Sequence, residues 1–139
     1  MRHNQLDLYI HFVWATWDRL PLITPAIERR LYRAMQAEAL THGCTVRALN
    51  GVEDHVHLFV TLPTTVTVAQ LVKQVKGVSS HFVNQTLCPA TRFKWQGGYG
   101  AFSVSCWDVD MIMTYIKREK EHHRLACVRP ELEAISVER

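Results

Sequence analysis

The chain has 139 residues, which suits a single domain, and its 47% apolar and 21% charged residues are typical of a folded globular protein. This composition excludes a disordered or collagen-like chain. The formal net charge at pH 7 is +3, from 16 Lys and Arg against 13 Asp and Glu, which permits a nucleic-acid partner without requiring one. No apolar run is long enough to cross a bilayer, and the first residues lack the apolar core of a signal peptide.

We therefore expect one domain over residues 1–139, no membrane partner and a cytoplasmic location. The four cysteines are at least 18 positions apart, which excludes a Cys-x-x-Cys knuckle and favours free thiols in a reducing compartment. They are Cys44, Cys88, Cys106 and Cys127. Eight histidines are many for a chain of this length, and their positions carry most of the functional argument.

The first half of the chain predicts three strands and a helix. Apolar and polar residues alternate strictly over residues 6–14, which indicates a half-buried strand. Thr24 and Pro25 suit the start of a helix that Gly43 ends. Short strands are predicted over residues 44–49 and 55–62, with the dipeptide Asn-Gly at 50–51 as a turn.

The second half predicts two helices and a strand. The sequence Thr-Val-Ala-Gln at 67–70 is a capping box that opens a helix. Its predicted buried side comprises Val68, Leu71, Val72, Val75, Val78 and Phe82. A strand follows over about residues 101–106, and Asp108 caps one last helix with apolar residues at i, i+3, i+4 and i+7. Beyond Arg129 we expect a loosely held tail.

The order β-α-β-β-α-β-α predicts an α+β fold, in which an antiparallel sheet of about four strands is covered by helices on one face. The other face would then present polar and aromatic side chains to solvent or to a partner. These side chains are His55, His57 and Phe59, with Tyr9 and His11 on the first strand. Single-stranded nucleic-acid binders use sheet faces of this kind.

His55 and His57 leave the same face of a strand, about 7 Å apart along the chain, so both imidazoles can converge on one metal ion. Glu119 on the last helix offers a third ligand, and Tyr115 lies one turn before it. Taken singly, each feature has an ordinary alternative: exposed histidines that alternate with aliphatic residues, and a tyrosine at the edge of an amphipathic helix.

Other candidates are weaker. The pair His122 and His123 is interpreted as a solvated helix end, and the glycines at 97, 98 and 100 form either a base-stacking loop or a plain hairpin loop. No Gly-Lys-Ser/Thr sequence follows them, so no nucleotide-phosphate loop is predicted. Several polar and basic side chains can contact nucleic acid or can simply be solvated: Lys73, Lys76, Ser80, Arg92, Lys94 and Tyr99.

In combination these segments resemble the HUH endonucleases, which are named after a His-hydrophobic-His motif. Residues 54–60, Asp-His-Val-His-Leu-Phe-Val, match that motif. Residues 71–80 resemble the Lys-Gly-Ser-bearing helix of the smallest HUH transposases, and residues 98–105 and 115–123 resemble two further blocks. Over residues 6–125, in the family's order, the chain is similar to the single-tyrosine, single-strand DNA transposases of the insertion-sequence 200/605 type, including relatives associated with repetitive extragenic palindromes.

The resemblance implies a ferredoxin-like HUH fold and a metal-assisted transesterification. Tyr115 would cleave one DNA strand through a 5′-phosphotyrosine intermediate, and the strand would then be rejoined. His55, His57 and Glu119 would hold Mg²⁺ or Mn²⁺; the family often has glutamine where this chain has Glu119. The implied partners are single-stranded DNA with hairpins and a second copy of the chain, whose tyrosine helix can complete the other's site. No nucleotide cofactor is implied, and the resemblance places the protein in bacteria or archaea, at the nucleoid when it acts.

Three alternatives stay open at this stage. A host-adopted relative could act on chromosomal palindromic repeats. A replication or conjugation initiator of the same superfamily would need further domains. A non-catalytic module for single-stranded nucleic acid would need exposed aromatic side chains on its central strands, where this chain has Phe59 beside histidines.

Overall fold

Four strands form one antiparallel sheet in the computed structural model, which describes residues 5–124 and 129–133. The strands are β1 (Tyr9–Ala15), β2 (Thr45–Val52), β3 (His55–Thr61) and β4 (Gly100–Val104). Their order in the sheet is β2-β3-β1-β4, and each neighbouring pair is antiparallel. This confirms the predicted α+β class with its four-stranded antiparallel sheet.

The described helices are α1 (Pro25–Thr41), α2 (Val68–Phe82), α3 (Val109–Lys117) and α4 (Glu119–Arg124). Short 3₁₀ turns lie at Trp17–Arg19, Cys106–Asp108 and Pro130–Leu132, and a π-helical turn at Val83–Leu87 follows α2. None of the helices in the described ranges is long and apolar enough to cross a membrane. Cys44, Cys88 and Cys106 are free thiols, whereas Cys127 lies outside the described residues.

The main core lies between the sheet and the pair α1 and α2. Alternating side chains of β1 and β3, such as Phe12 and Leu58, are fully buried against Leu31 of α1 and Leu71 of α2. Pro25 is the first residue of α1, and the predicted capping box of α2 is present in full. A cap of this kind stabilises a helix by about 1 kcal/mol, so most of the helices' stability comes from their buried apolar faces.

The buried stripe of α2 differs from the prediction at one turn. Val78 is 39% exposed, while the hydroxyl of the fully buried Ser79 accepts a hydrogen bond of 3.0 Å from Trp95 Nε1. Trp95 belongs to the segment before β4 and packs edge-on against Trp14. Helix periodicity could not reveal this contact, because it depends on a distant loop reaching the helix.

The prediction that the second sheet face is open is wrong. Ile112 and Ile116 of α3 pack there against Phe59 of β3 and form a second apolar cluster. Helices therefore cover both faces of the sheet. Phe59 is fully buried and is not available to stack on a base, and His55 and His57 are no more than 2% exposed.

The predicted turn at Asn50 and Gly51 is also wrong, because both residues lie inside β2 and the turn follows at residues 53–54. The Asn50 amide instead donates hydrogen bonds of 3.1 Å to the carbonyls of Ile116 and Lys117, at the end of α3. The expected single last helix is accordingly divided at Arg118, whose backbone (φ −99°, ψ 18°) separates α3 from α4. Asp108 precedes α3, but its side chain makes no capping hydrogen bond.

Replacing Gly51 with alanine is expected to lower the free energy of unfolding by about 1–3 kcal/mol. A Cβ at this position would lie 2.3 Å from the His55 carbonyl oxygen, so the β2–β3 pairing must shift. Gly77→Ala in α2 is the matched control, because no neighbouring heavy atom lies within 4 Å of the Cβ that alanine would add. Alanine also lowers the conformational entropy of the unfolded chain. We expect Gly77→Ala to stabilise by about 0.5–1 kcal/mol. Urea unfolding of both variants measures the difference, and wild-type stability of Gly51→Ala would contradict the close approach.

Candidate metal and nucleophile site

The candidate site lies between β3 and the junction of α3 with α4. β3 directs His55 and His57 to the second sheet face, where their ring centroids are 5.3 Å apart. Tyr115 lies in the last turn of α3, and Glu119 is the first residue of α4. Because Asn50 binds the last carbonyls of α3, the strand that pairs with β3 also fixes where the helix breaks.

Four side chains converge here: the ligand atoms of His55, His57, Glu119 and Glu133 all lie within 4.8 Å of one another. Glu119 Oε1 is 3.1 Å from His55 Nε2 and 3.0 Å from His57 Nε2. The structure thus brings together the three residues that the sequence nominated as ligands. It adds a fourth, Glu133, that the sequence analysis did not consider.

The Nδ1 atom of each histidine contacts a residue that orients the ring, while Nε2 faces the glutamates. Asp54 Oδ1 lies 2.8 Å from His55 Nδ1, and His11 Nε2 lies 2.8 Å from His57 Nδ1. A proton on Nδ1 donates to the partner in both cases and leaves the Nε2 lone pair for a metal ion, as is usual for ligating histidines. Burial, together with the neighbouring His57, lowers the pKa of His11 to about 3, so His11 is neutral and can accept.

The donor set fits a divalent ion. Within residues 5–124 and 129–133, Glu119 Oε2 is buried and has no hydrogen-bond partner, and its side chain is fully enclosed. His57 Nε2 faces one oxygen of each glutamate, 3.0 Å from Glu119 and 2.9 Å from Glu133. Unpaired polar atoms in such a place are costly unless a ligand satisfies them. Two imidazoles with carboxylates suit Mn²⁺ well, whereas Mg²⁺ prefers an all-oxygen set.

Without an ion, the imidazoles and carboxylates of the site stabilise each other's charged forms. Burial by itself would lower the pKa of His55, but hydrogen bonds with Asp54, Glu119 and Glu133 outweigh it and raise that pKa to about 10. The pKa of His57 is raised in the same way by the two glutamates, against the effect of burial. Burial would raise the pKa of Glu119 and Glu133, yet the histidines lower both.

Tyr115 lies directly beside this cluster and is only 6% exposed. Its hydroxyl donates to Glu133 Oε2 at 3.0 Å and accepts from the backbone N–H of Arg129 at 3.0 Å. Its ring stacks on His122, with centroids 4.3 Å apart. Burial raises the pKa of Tyr115, the Arg129 N–H opposes this, and the charge of Glu133 adds to it, so the resting hydroxyl keeps its proton.

The structure corrects two interpretations of the C-terminal region. The tail expected to be loose beyond Arg129 packs onto the site over residues 129–133, and residues 134–139 lie outside the described ones. The histidine pair is not a solvated helix end, because His122 stacks on Tyr115 and His123 Nε2 lies 2.6 Å from Glu119 Oε1. The alternation of residues 6–14 already placed His11 on the same sheet face as His55 and His57. No feature of the sequence marked Glu133.

Four of the six predicted nucleic-acid contacts line one open groove of about 690 Å³: Lys76, Ser80, Arg92 and Lys94. Trp17 forms part of its wall, with Lys94 Nζ 4.0 Å above the indole ring. The other two predicted contacts lie elsewhere. Tyr99 is half-buried with its ring against Phe12, and Lys73 lines a separate depression beside α2.

The groove opens at the same end of the sheet as the histidines. Trp17 lies two residues after the end of β1, and the intervening Thr16 N–H donates to the Asp54 carbonyl at 2.9 Å. Arg19 Nε lies 3.4 Å from Asp54 Oδ2, on the residue that orients His55. Asp54, which orients His55, therefore contacts the residues on both sides of Trp17 in the segment that forms part of the groove wall.

The comparisons with known proteins agree with the fold. A family model described as "Transposase IS200 like" matches residues 4–119. A crystal structure from Deinococcus radiodurans R1, described as a transposase, is 24% identical over 86% of this chain and 95% of its own, with a TM-score of 0.65. The structure of a REP-associated tyrosine transposase bound to a REP hairpin is 15% identical over 92% of this chain and 74% of its own, with a TM-score of 0.65. Both structures share the fold of this chain, and the search of curated proteins returned no match.

Mn²⁺ is expected to raise the Tm of the protein more at about pH 8 than at about pH 6, because an imidazole binds the ion only after losing its proton. Because the pKa of His55 is about 10, the ion must displace a proton from this imidazole at both pH values. The free energy needed to remove that proton falls as the pH rises. Differential scanning fluorimetry with and without Mn²⁺ measures the shift, with His57→Ala as the variant that should show none. An equal shift at both pH values would contradict the displacement of imidazole protons.

Proposed function

The chain belongs to the IS200-like transposase family, and on that premise we propose that it is a single-strand DNA transposase whose nucleophile is Tyr115. One observation carries this assignment. The Tyr115 hydroxyl lies 3.0 Å from Glu133 Oε2, and the same oxygen lies 2.9 Å from His57 Nε2. One carboxylate thus joins the candidate nucleophile to the candidate metal ligands.

In the proposed reaction the Tyr115 oxygen attacks the phosphorus of one DNA strand in line with the departing 3′ oxygen. A bond from the Tyr115 oxygen to phosphorus forms, and the bond from phosphorus to the 3′ oxygen breaks. The phenolic proton passes to Glu133 Oε2, its hydrogen-bond acceptor, and the departing 3′ oxygen takes a proton from solvent. This leaves a 5′-phosphotyrosine and a free 3′-hydroxyl. Since the covalent link conserves a phosphodiester bond, a 3′-hydroxyl can reverse the step and join a new end without ATP.

His55, His57 and Glu119 would hold Mg²⁺ or Mn²⁺, and the bound ion would supply Lewis-acid stabilisation of the charge on the scissile phosphate. Asp54 and His11 orient the two imidazoles for that role through Nδ1. His122 holds the Tyr115 ring by stacking and so limits the directions from which its hydroxyl can attack.

The basic groove is the proposed binding site for the DNA next to the cleaved position. Arg92 and Lys94 are exposed and can contact phosphates, and Trp17, 41% exposed, offers a face on which an unpaired base can stack. Lys76 serves the groove mainly by shaping it, since its Nζ donates to the carbonyls of Gln96 at 2.6 Å and Gly98 at 3.1 Å. Lys73 and Tyr99 are not part of this proposal.

Assembly and biological role extend the same proposal. The family resemblance suggests a homodimer, and Tyr115 here lies beside the histidines of its own chain, which supports a site assembled in cis. The fold shared with a REP-associated tyrosine transposase favours, as second candidate, a host-adopted nuclease acting on chromosomal palindromic repeats. Burial of Phe59 argues against a binding module that stacks bases on this sheet.

Tyr115→Phe is expected to lower strand cleavage by about a thousandfold or more, because it removes the attacking oxygen and keeps the ring. Binding of single-stranded DNA should stay within about twofold, since the proposed groove is untouched. Wild type should form a denaturant-stable protein–DNA adduct on single-stranded DNA taken from the flanks of its own gene. Tyr99→Phe is the matched control and should form the adduct as wild type does. Adduct formation by Tyr115→Phe at the wild-type rate would move the nucleophile elsewhere.

The protein is expected to bind a single strand that carries a hairpin more tightly than the same sequence as a perfect duplex, because stacking on Trp17 requires an unpaired base. The double variant Arg92→Ala/Lys94→Ala should bind the hairpin strand about tenfold more weakly and with a smaller dependence on salt. Fluorescence anisotropy at two salt concentrations measures both effects. Arg33→Ala, an exposed arginine on α1, is the control that should leave affinity unchanged. Equal affinity for duplex and hairpin would contradict the proposed substrate.

A further inference from the structure

Glu133 occupies a position that the motifs of the chain do not account for. It comes from the segment Arg129–Glu133, yet its carboxylate reaches the centre of the histidine cluster. Oε1 lies 3.1 Å from His55 Nε2, and Oε2 lies 2.9 Å from His57 Nε2. Both oxygens therefore face the two nitrogens that Asp54 and His11 leave free for an ion.

The segment Arg129–Glu133 is anchored at several points, so the approach of Glu133 does not rest on one contact. Leu132 packs against the second apolar cluster, which contains Ile112 and Ile116. The Arg129 N–H donates to the Tyr115 hydroxyl at 3.0 Å. His123 Nε2 lies 2.9 Å from Glu133 Oε1 and holds the carboxylate from the side of α4.

The carboxylate oxygens in the cluster point to an ion that more than three side chains surround. Glu119 Oε2 is buried without a hydrogen-bond partner among the described residues. His57 Nε2 faces one oxygen of each glutamate, 3.0 Å from Glu119 and 2.9 Å from Glu133. Mn²⁺ and Mg²⁺ favour six ligands in octahedral geometry, so four protein ligands leave two positions for water or a phosphate oxygen.

We propose that Glu133 is a fourth protein ligand of the divalent ion in the DNA-free protein and that it also fixes the Tyr115 hydroxyl beside that ion. The inference rests on the proposed function, because it takes the ion site of His55, His57 and Glu119 as given. Its consequence is that the segment Arg129–Glu133 belongs to the active site and sets the position of the nucleophile.

The test measures metal binding without DNA, so it does not depend on activity. Mn²⁺ affinity is determined from the electron paramagnetic resonance signal of free Mn²⁺ for wild type, Glu133→Ala, Glu133→Gln and Glu131→Ala. Glu131 is the matched control, since it is an exposed carboxylate of the same segment that pairs with Arg129. We expect Glu133→Ala to weaken Mn²⁺ binding by about tenfold or more, Glu133→Gln to weaken it less, and Glu131→Ala to leave it unchanged.

Co²⁺ substitution separates ligation from a purely structural role. The visible absorption of bound Co²⁺ depends on its ligands, so Glu133→Ala should change the band positions while Glu131→Ala keeps the wild-type spectrum. A wild-type spectrum and affinity in Glu133→Ala, at unchanged Tm, would overturn the fourth ligand. His57→Ala distinguishes this failure from that of the proposed function. If His57→Ala bound Mn²⁺ as wild type does, the assignment of the metal site to these histidines would itself be wrong.

Discussion

The burial of four ionisable side chains between one sheet face and the last two helices is the constraint on which the site depends. Two imidazoles and two carboxylates are held where they are at most partly exposed to water, and an unpaired charge in such a place costs several kcal/mol. Each group therefore has partners at hydrogen-bond distance. His55 contacts Asp54, His57 contacts His11, and both histidines contact Glu119 and Glu133. Opposite charges at hydrogen-bond distance make the enclosed cluster tolerable, and a divalent ion can replace the imidazole protons at its centre.

Positioning of the cluster depends on the pairing of β2 with β3. Asn50 lies opposite His57 in the sheet, and its side-chain amide reaches past the sheet to the last carbonyls of α3. Lys120 Nζ then donates to Asn50 Oδ1 at 2.7 Å and to the Gly51 carbonyl at 3.0 Å, which ties α4 to the same strand. The helix break that separates Tyr115 from Glu119 is thus fixed by the strand beside the histidines.

Catalysis and DNA binding are linked in the proposed function through one short segment. Residues 16–19 join the end of β1 to the groove, and they contact Asp54, which orients His55. A DNA strand bound in the groove would thus contact a segment that also contacts Asp54, the residue that orients His55. On the opposite side, the segment Arg129–Glu133 covers Tyr115. In that proposal the candidate nucleophile Tyr115 is enclosed by His57, His122 and Glu133.

The sequence determined the order of the elements, the antiparallel sheet and the helix cap at Thr67, because these follow from local periodicity and capping. It also nominated His55, His57, Tyr115 and Glu119, since strand alternation and helical spacing place them on particular faces. Only the tertiary structure decided what covers those faces. Phe59 is buried because α3 packs across the second sheet face. Asn50 lies in a strand, where its side chain binds the carbonyls at the end of α3. Glu133 reaches the cluster with the support of Leu132, which packs on the same apolar residues. Contacts between segments far apart in the chain leave no local pattern, so the sequence could name the candidate ligands and the candidate nucleophile but not the groups that enclose and orient them.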